Sequence, residues 1–215
     1  IENNIENVYY TFIHAVYTVE TTIEKNRLHN DKHTRSGYLY GIYLYNYYTR
    51  CDAKINANWL YEFNNLATGG YDGRYPIYVY MYGASNTKTL EIVNNIVDIR
   101  SNYYTPGIYV YAYAANNANV NLYHNTVHFG GNKTNGYAYG LYMTQMYYAN
   151  VDCKNNIFYC DWKIAGPFYA NYFVSGSIKF ENNLINLDDI SGSGTVYYGY
   201  NGNNYTTLTD WETGV

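Results

Sequence analysis

Leu90-Glu-Ile92-Val-Asn-Asn95-Ile-Val97-Asp-Ile99 is the stretch on which the reading of the whole chain turns. Apolar residues stand at 90 and 92, then at 97 and 99, with Asn95 between the two pairs. Alternation of period two on both sides means two short strands, each with one buried face. The two residues before Asn95 break the alternation and make a corner. An amphipathic helix would instead repeat its apolar residues every 3.6 positions, and this window does not.

The pattern recurs without gaps in Ala53-Lys-Ile55-Asn-Ala-Asn58-Trp-Leu60, Val120-Asn-Leu122-Tyr-His-Asn125-Thr-Val127-His-Phe129, Val151-Asp-Cys153-Lys-Asn-Asn156-Ile-Phe158-Tyr-Cys160 and Ile178-Lys-Phe180-Glu-Asn-Asn183-Leu-Ile185-Asn-Leu187. Thr21-Thr-Ile23-Glu-Lys-Asn26-Arg-Leu28 fits nearly as well. Ile1 to Asn4 reads as the remnant of a seventh unit with Asn4 at the corner, although Glu6 then breaks the inward pattern. From Asn4 to Asn183 the spacings are 22, 32, 37, 30, 31 and 27 residues. A period in this range, carried by strands, predicts a solenoid. One coil alone cannot bury its inward residues; stacked coils pair every strand above and below.

The fold expected is therefore all-β, a right-handed parallel β-helix of about seven coils with a single-stranded wrap. The hand follows from the rule for parallel crossovers. An asparagine ladder runs through Asn26, Asn58, Asn95, Asn125, Asn156 and Asn183. A lone buried Asn is costly, whereas a file of side-chain amides, each both donor and acceptor, can satisfy itself.

Each unit carries a second signature ahead of its Asn: Gly41-Ile42-Tyr-Leu44, Pro76-Ile77-Tyr-Val79, Gly107-Ile108-Tyr-Val110, Gly140-Leu141-Tyr-Met143 and Pro167-Phe168-Tyr-Ala170. Gly or Pro marks the turn into this strand. Ala15-Val16-Tyr-Thr18 and Thr195-Val196-Tyr197 are weaker copies. Residues 1–215 are read as one domain, a fragment of a longer chain that opens mid-pattern without an initiator Met. Residues 196–215 are read as an irregular tail leading to a further coil.

Composition removes several function classes. Charged residues are 14% of the 215, with a formal net charge of −4, so no basic field exists for nucleic acid. No stretch approaches the ~20 apolar residues of a membrane helix. Three cysteines make an odd count without CxxC spacing, and Cys153 and Cys160 fall at inward positions, where buried free thiols acting as small hydrophobes are the preferred reading and a disulfide the alternative. Low charge, 33 Tyr and the sequons Asn132-Lys133-Thr134 and Asn204-Tyr205-Thr206 suit an exported protein.

The cores at Ile92–Val97, Cys153–Phe158 and Phe180–Ile185 resemble those of the right-handed parallel β-helix repeat family, the architecture of pectate lyases and many bacterial surface proteins. The resemblance covers about residues 1–187. The tail from Gly199 through Gly214 is similar to segments that follow the last coils in Bacteroidetes-type members. It implies a secreted or cell-surface bacterial setting. It also implies what a catalytic member would need: clustered carboxylates, in lyases often around Ca²⁺, and a basic residue as proton acceptor. The architecture by itself assigns no activity.

Catalytic groups would project outward at matching positions of adjacent coils. The outward residue three past each Asn reads Tyr61, Asp98, His128, Tyr159 and Asn186. Asp98 and His128 become neighbours, with Arg100 close by, and this trio is the best catalytic constellation. The bland alternative is a solvated face with an incidental ion pair. Asp72 and Arg74 lie in a Gly-rich loop. Asp152, Lys154 and Lys163 share one coil whose neighbours are expected to supply no carboxylate. Asp188-Asp189 could hold Ca²⁺ or merely make a turn. No cofactor or metal is otherwise expected, and the histidines show no ligand spacing.

The strongest functional signal is the placement of Tyr. Tyr43, Tyr45, Tyr78, Tyr80, Tyr82, Tyr109, Tyr111, Tyr113 and Tyr142 alternate with inward aliphatics and so face outward, in columns over at least four coils. Such a face can stiffen the sheet through cross-strand pairs, pack against another copy or another domain, or stack on glycan rings. The expectation is a non-catalytic structural or adhesive module. The alternatives are a polysaccharide lyase using Asp98, Arg100 and His128, and a carbohydrate-binding module.

Overall fold

In a computed structural model of the chain, each Asn-centred unit becomes one turn of a solenoid built from three strands. The structure describes residues 3–30, 37–47, 52–65, 73–82, 89–101, 105–113, 118–130, 132–133, 137–146, 149–161, 163–164, 168–174, 177–187 and 195–214. One sheet holds the seven strands that follow the corner asparagines, from Asn3–Glu6 through Ile96–Ser101 to Leu184–Asn186. A second sheet holds the tyrosine-bearing strands, from Thr11–Val16 to Val196–Tyr200. A third holds six strands that lead into the next corner, from Glu20–Glu24 to Ser177–Glu181. The pairs that build these three stacks are parallel, which is what stacking of like coil on like coil requires.

Parallel strands wrapped into a coil bury one face each, and the sequence alternates accordingly. Leu28, Leu60, Val97, Val127, Phe158 and Ile185 form one inward file in register. Ile23, Ile55, Ile92, Leu122 and Cys153 form another. Each large side chain withdrawn from water contributes roughly 1.5–3 kcal/mol, so these files drive the stacking. Cys153 and Cys160 are buried free thiols within the fill.

The corner explains both asparagines of the recurrent Asn-Asn. Each ladder side chain donates from Nδ2 to the Oδ1 of the next: Asn26 to Asn58 at 2.9 Å, Asn58 to Asn95, Asn95 to Asn125 and Asn125 to Asn156 at 3.0 Å, and Asn156 to Asn183 at 2.8 Å. From Asn58 on, the other Nδ2 proton goes to a carbonyl of the coil before, as from Asn125 to Ile92 O at 2.7 Å, while that of Asn26 goes to Glu24 O in its own coil at 3.0 Å. Each Oδ1 also accepts the backbone N–H of the preceding ladder residue, as Asn125 does from Asn95 at 3.1 Å. Nothing on these buried amides is left unpaired. The residue before each ladder Asn turns the chain in the left-handed region: Lys25, Ala57, Asn94, His124, Asn155 and Asn182, with φ from 53° to 57°. Asn tolerates that conformation better than most residues, which is why it fills three of these six positions.

The structure moves three assignments. In the first coil the ladder residue is Asn3 rather than Asn4, since Asn3 pairs in register with Asn26 and donates to its Oδ1 at 2.8 Å. A one-residue slip exchanges the faces of a strand. Ile5 then lies inward beneath Leu28, and Glu6 faces out beside His29, so Glu6 breaks nothing. Secondly, Tyr169 stacks in register with Tyr139, and Leu141 with Asn171, so the strand Phe168–Phe173 sits three residues away from the Pro167-Phe168 alignment; Pro167 itself lies outside the described residues. Thirdly, the segment expected to be an irregular tail carries regular elements over residues 196–214. Val196–Tyr200 joins the tyrosine sheet, Asn204–Tyr205 folds back antiparallel on it, and helix Leu208–Gly214 follows. Trp211 of that helix is fully buried, packed on Phe180, Tyr205 and the bare backbone of Gly199, where a Cβ would meet the indole at 2.0 Å. The helix thus packs against the last described strands through one indole.

Candidate functional site

Every tyrosine expected to face outward does so. Tyr43, Tyr78, Tyr109 and Tyr142 stand in register, continued by Tyr172 and Tyr200. Tyr45, Tyr80 and Tyr111 form a second column, with Thr144 taking the next place, and Tyr47, Tyr82 and Tyr113 a third. Period-two reasoning missed a fourth column: Tyr40 and Tyr75, then Tyr139, Tyr169 and Tyr197. The chain bends between Tyr40 and Tyr43, so that Gly41 and Ile42 both point inward and the tyrosines share a face at a spacing of three. At the equivalent Gly140 a Cβ would lie 2.5 Å from Ala170 O and 2.9 Å from Phe158 Cδ1, so the bend presses backbone into the core. The sequence did carry a signal for this, in the recurrence of Tyr-x-x-Tyr at 40/43, 75/78, 139/142, 169/172 and 197/200.

The rings are laid mostly face on face. Tyr80 and Tyr111 have centroids 4.5 Å apart at 6°, Tyr45 and Tyr80 5.0 Å at 11°, Tyr47 and Tyr82 4.5 Å at 7°, Tyr78 and Tyr109 4.6 Å at 5°, and Tyr172 and Tyr200 4.4 Å at 9°. Where stacking is interrupted an edge closes the face instead, as between Tyr43 and Tyr78 at 85°. The columns consequently hide their π-faces and present ring edges tipped with hydroxyls. Most of these rings are half-buried against one another, and Tyr139 and Tyr169 are buried. Burial, then neighbouring phenols, pushes the pKa of Tyr80 and of Tyr169 up to about 12, and those of Tyr43, Tyr78, Tyr109 and Tyr139 upward too. In the first coil the Tyr43 column is continued by His14, stacked on Tyr43 with centroids 4.7 Å apart. Among the described residues, no Asp, Glu, Lys or Arg stands at an outward position of these strands.

The Asp98–His128 pair forms on the sheet that follows the ladder. His128 Nδ1 lies 2.7 Å from Asp98 Oδ1, and its Nε2 lies 3.3 Å from Asp161 Oδ1. Its ring stacks on Tyr159 with centroids 5.0 Å apart. Gly130 leaves room for this pairing, since a Cβ there would sit 3.1 Å from His128 Cε1 and 3.2 Å from Asp161 Oδ1. The hydrogen bond that His128 donates to Asp98 raises its pKa against the opposing effect of burial, and the charges of Asp98 and Asp161 add to the rise. Burial works to raise the Asp98 pKa, but His128 and Arg100 together bring it below its ordinary value. The structure thus brings Asp98, His128 and the Arg100 charge together, and adds Asp161, which follows the strand Ile157–Cys160 and so escaped the outward register. Two coils away His29 pairs with Glu62, a residue in a left-handed bulge (φ 53°), and stacks on Tyr61 at 4.5 Å.

Chemically the imidazole is clamped. Both ring nitrogens face carboxylates, and a proton-holding His128 has no lone pair with which to deprotonate a substrate.

The third sheet carries an ion-pair network. Lys154 reaches Asp152 at 2.9 Å and Glu181 of the next coil at 3.2 Å, Lys179 reaches Glu181 at 2.9 Å, and Lys54 meets Glu91 at 3.2 Å. This corrects the expectation that neighbouring coils offer Lys154 no carboxylate. Arg74 is corrected too: it opens the strand Arg74–Tyr82, buried, and donates to Gly37 O at 2.7 Å. Asp72, Asp188 and Asp189 lie outside the described residues. Among the described residues, no three His, Cys, Asp or Glu side chains group as a metal site, and no helix is long and apolar enough to cross a membrane. No protein-family model, curated protein or solved structure matches this chain.

Proposed function

We propose that this chain is a non-catalytic module of a secreted or cell-surface bacterial protein, a rigid solenoid whose tyrosine face mediates assembly or adhesion. The observation that carries the reading is that face: several ordered columns of uncharged phenol edges on a stiff parallel sheet. Monomeric proteins seldom leave patches above a few hundred Å² without a use for them. Kinship with the pectate-lyase-like solenoids, on the strength of the Asn-Asn cores, belongs to this proposal and supports the extracellular setting.

The 2.7 Å pairing of Asp98 with His128 favours a second reading, a polysaccharide lyase in which these residues and Arg100 act. Against it stands the double clamp on His128. A screen on uronate-containing glycans separates the two, run on the chain and on Asp98→Ala. The expected result is no turnover by either protein. Turnover by the natural sequence that Asp98→Ala lacks would overturn the preferred reading.

A further inference from the structure

We infer that the partner of the tyrosine face is the tyrosine face of a second copy of this chain. The inference rests on the assembly-or-adhesion reading above and chooses between its branches. Glycan recognition by aromatics needs an open ring face on which a sugar can lie. Here the faces are consumed inside the columns, at separations of 4.4 to 5.0 Å and angles within 11° in the best-stacked pairs. What remains outward is the hydroxyl-bearing edge. A phenol hydroxyl donates and accepts at once, so an array of them is complementary to another array of the same kind.

Charge narrows the choice further. A face whose described outward residues include no Asp, Glu, Lys or Arg, with His14 at its first coil, offers little to steer or pair a charged ligand. A surface equally poor in charge and equally flat fits it, and a two-fold pairing of identical patches is the commonest way to supply one. Tyrosine is enriched at such interfaces. Rings already held by their stacking neighbours also lose little freedom on docking.

Size sets the strength. With strands ~4.8 Å apart and residues ~3.3 Å apart, the columns from Tyr40 to Tyr47 and from Tyr43 to Tyr200 cover roughly 500 Å². Two copies would bury about 1,000 Å², below the ~1,600 Å² of a standard interface and in the range of weak, reversible association. The pairing is therefore dependent on concentration, and becomes firm only where copies are displayed together, as effective concentration rises.

Sedimentation of the full chain over a concentration series tests this, alongside co-sedimentation with insoluble glycans. The variants are Tyr80→Lys with Tyr111→Lys, which set like charges against each other across the two-fold, and Tyr80→Phe with Tyr111→Phe, which keep the stacks but remove two hydroxyls. The expected result is a reversible dimer whose dissociation constant rises roughly tenfold or more, about 1.4 kcal/mol, in the Lys pair. The Phe pair should weaken it several-fold, and circular dichroism should be unchanged. If the Lys pair does not fold, the Phe pair decides alone. A dimer indifferent to both pairs places the interface elsewhere and overturns the inference. A monomer that binds glycan through Tyr80 and Tyr111 overturns it while leaving the adhesive reading standing. A monomer with no tyrosine-dependent binding overturns both.

Discussion

At the scale of single residues the corner is the most demanding place in the fold, because it asks for a left-handed backbone beside a buried amide. Ala57 occupies the left-handed position at φ 54° without the side chain that makes Asn tolerable there. That conformation costs an L-residue roughly 1–2 kcal/mol, and glycine gives back part of the relief as unfolded-state entropy. Ala57→Gly is accordingly expected to stabilise by roughly 0.5–1 kcal/mol in urea titration; a loss of stability would mean the corner is not strained. The neighbouring ladder behaves oppositely. Asn125 gives two and takes two hydrogen bonds inside the core, so Asn125→Ala strips partners from Asn95 and from the Ile92 carbonyl. A buried group left unpaired costs roughly 1–3 kcal/mol, so a total loss near 3 kcal/mol or more is expected. Asn3→Ala, which removes a single 2.8 Å bond at the end of the file, should cost about 1 kcal/mol or less. Equal effects at the two sites would refute a continuous ladder. His128 supplies a pH signature. Its pKa is raised in the folded chain, so its stabilisation is complete below the ordinary value of about 6.5 and is lost as pH climbs through the raised one. The Asp98 pKa is lowered, so its share is present above about pH 4 and is lost as pH falls through the lowered value. The stability difference between the natural chain and His128→Gln should therefore peak in the mildly acid range and decline toward alkaline pH. A difference independent of pH would show the clamp to be uncharged.

At the scale of elements, the difference between what was legible in the sequence and what was not comes down to alternation. Strands on either side of Asn95, Asn125 and Asn156 alternate strictly, and their inward residues could be read off without coordinates. The tyrosine strands do not, because the bend at Gly41, Pro76, Gly107 and Gly140 turns two successive residues inward and changes the phase. That single irregularity hid Tyr40, Tyr75 and Tyr139 and shifted the alignment of Phe168–Phe173 by three. Asp161 and Glu62 were hidden for a related reason, one lying beyond its strand and the other in a bulge where register slips. Asp98 and His128, in unbroken strands, were found. The helix Leu208–Gly214 was illegible for a different reason. Its seven residues carry no long apolar period, and one indole does its anchoring. Removing it with Trp211→Ala is expected to cost roughly 3–5 kcal/mol, the range for emptying a large aromatic site. The loss should be local. Hydrogen exchange is expected to quicken in Val196–Tyr200 and Ser177–Glu181 while the strands around Asn95 and Asn125 stay protected, and uniform quickening would contradict that.

At the scale of the whole molecule, a solenoid holds together through contacts between adjacent coils, so its integrity depends on register and very little on the number of coils. Asn95 and Asn125 are 30 residues apart and occupy equivalent corners. Deleting residues 96–125 joins Asn95 directly to Thr126, whose strand already pairs in register with that of Ile96. The ladder then runs from Asn95 to Asn156, and Tyr78 comes to lie beneath Tyr142, since both now flank Tyr109. The shortened chain should fold to the same circular dichroism per residue. Its denaturant dependence should be shallower in proportion to the surface it no longer exposes on unfolding. Deleting one residue fewer, 97–125, leaves Ile96 as a surplus between Asn95 and Thr126. That residue reverses the faces of the following strand, driving His128 toward the core and Val127 toward water. The two deletions differ by a single apolar residue, so composition cannot account for a difference between them. If both fold equally well, coil register is not what specifies this structure, and the outward tyrosine columns would have to be held by something other than the stacking of like coil on like coil.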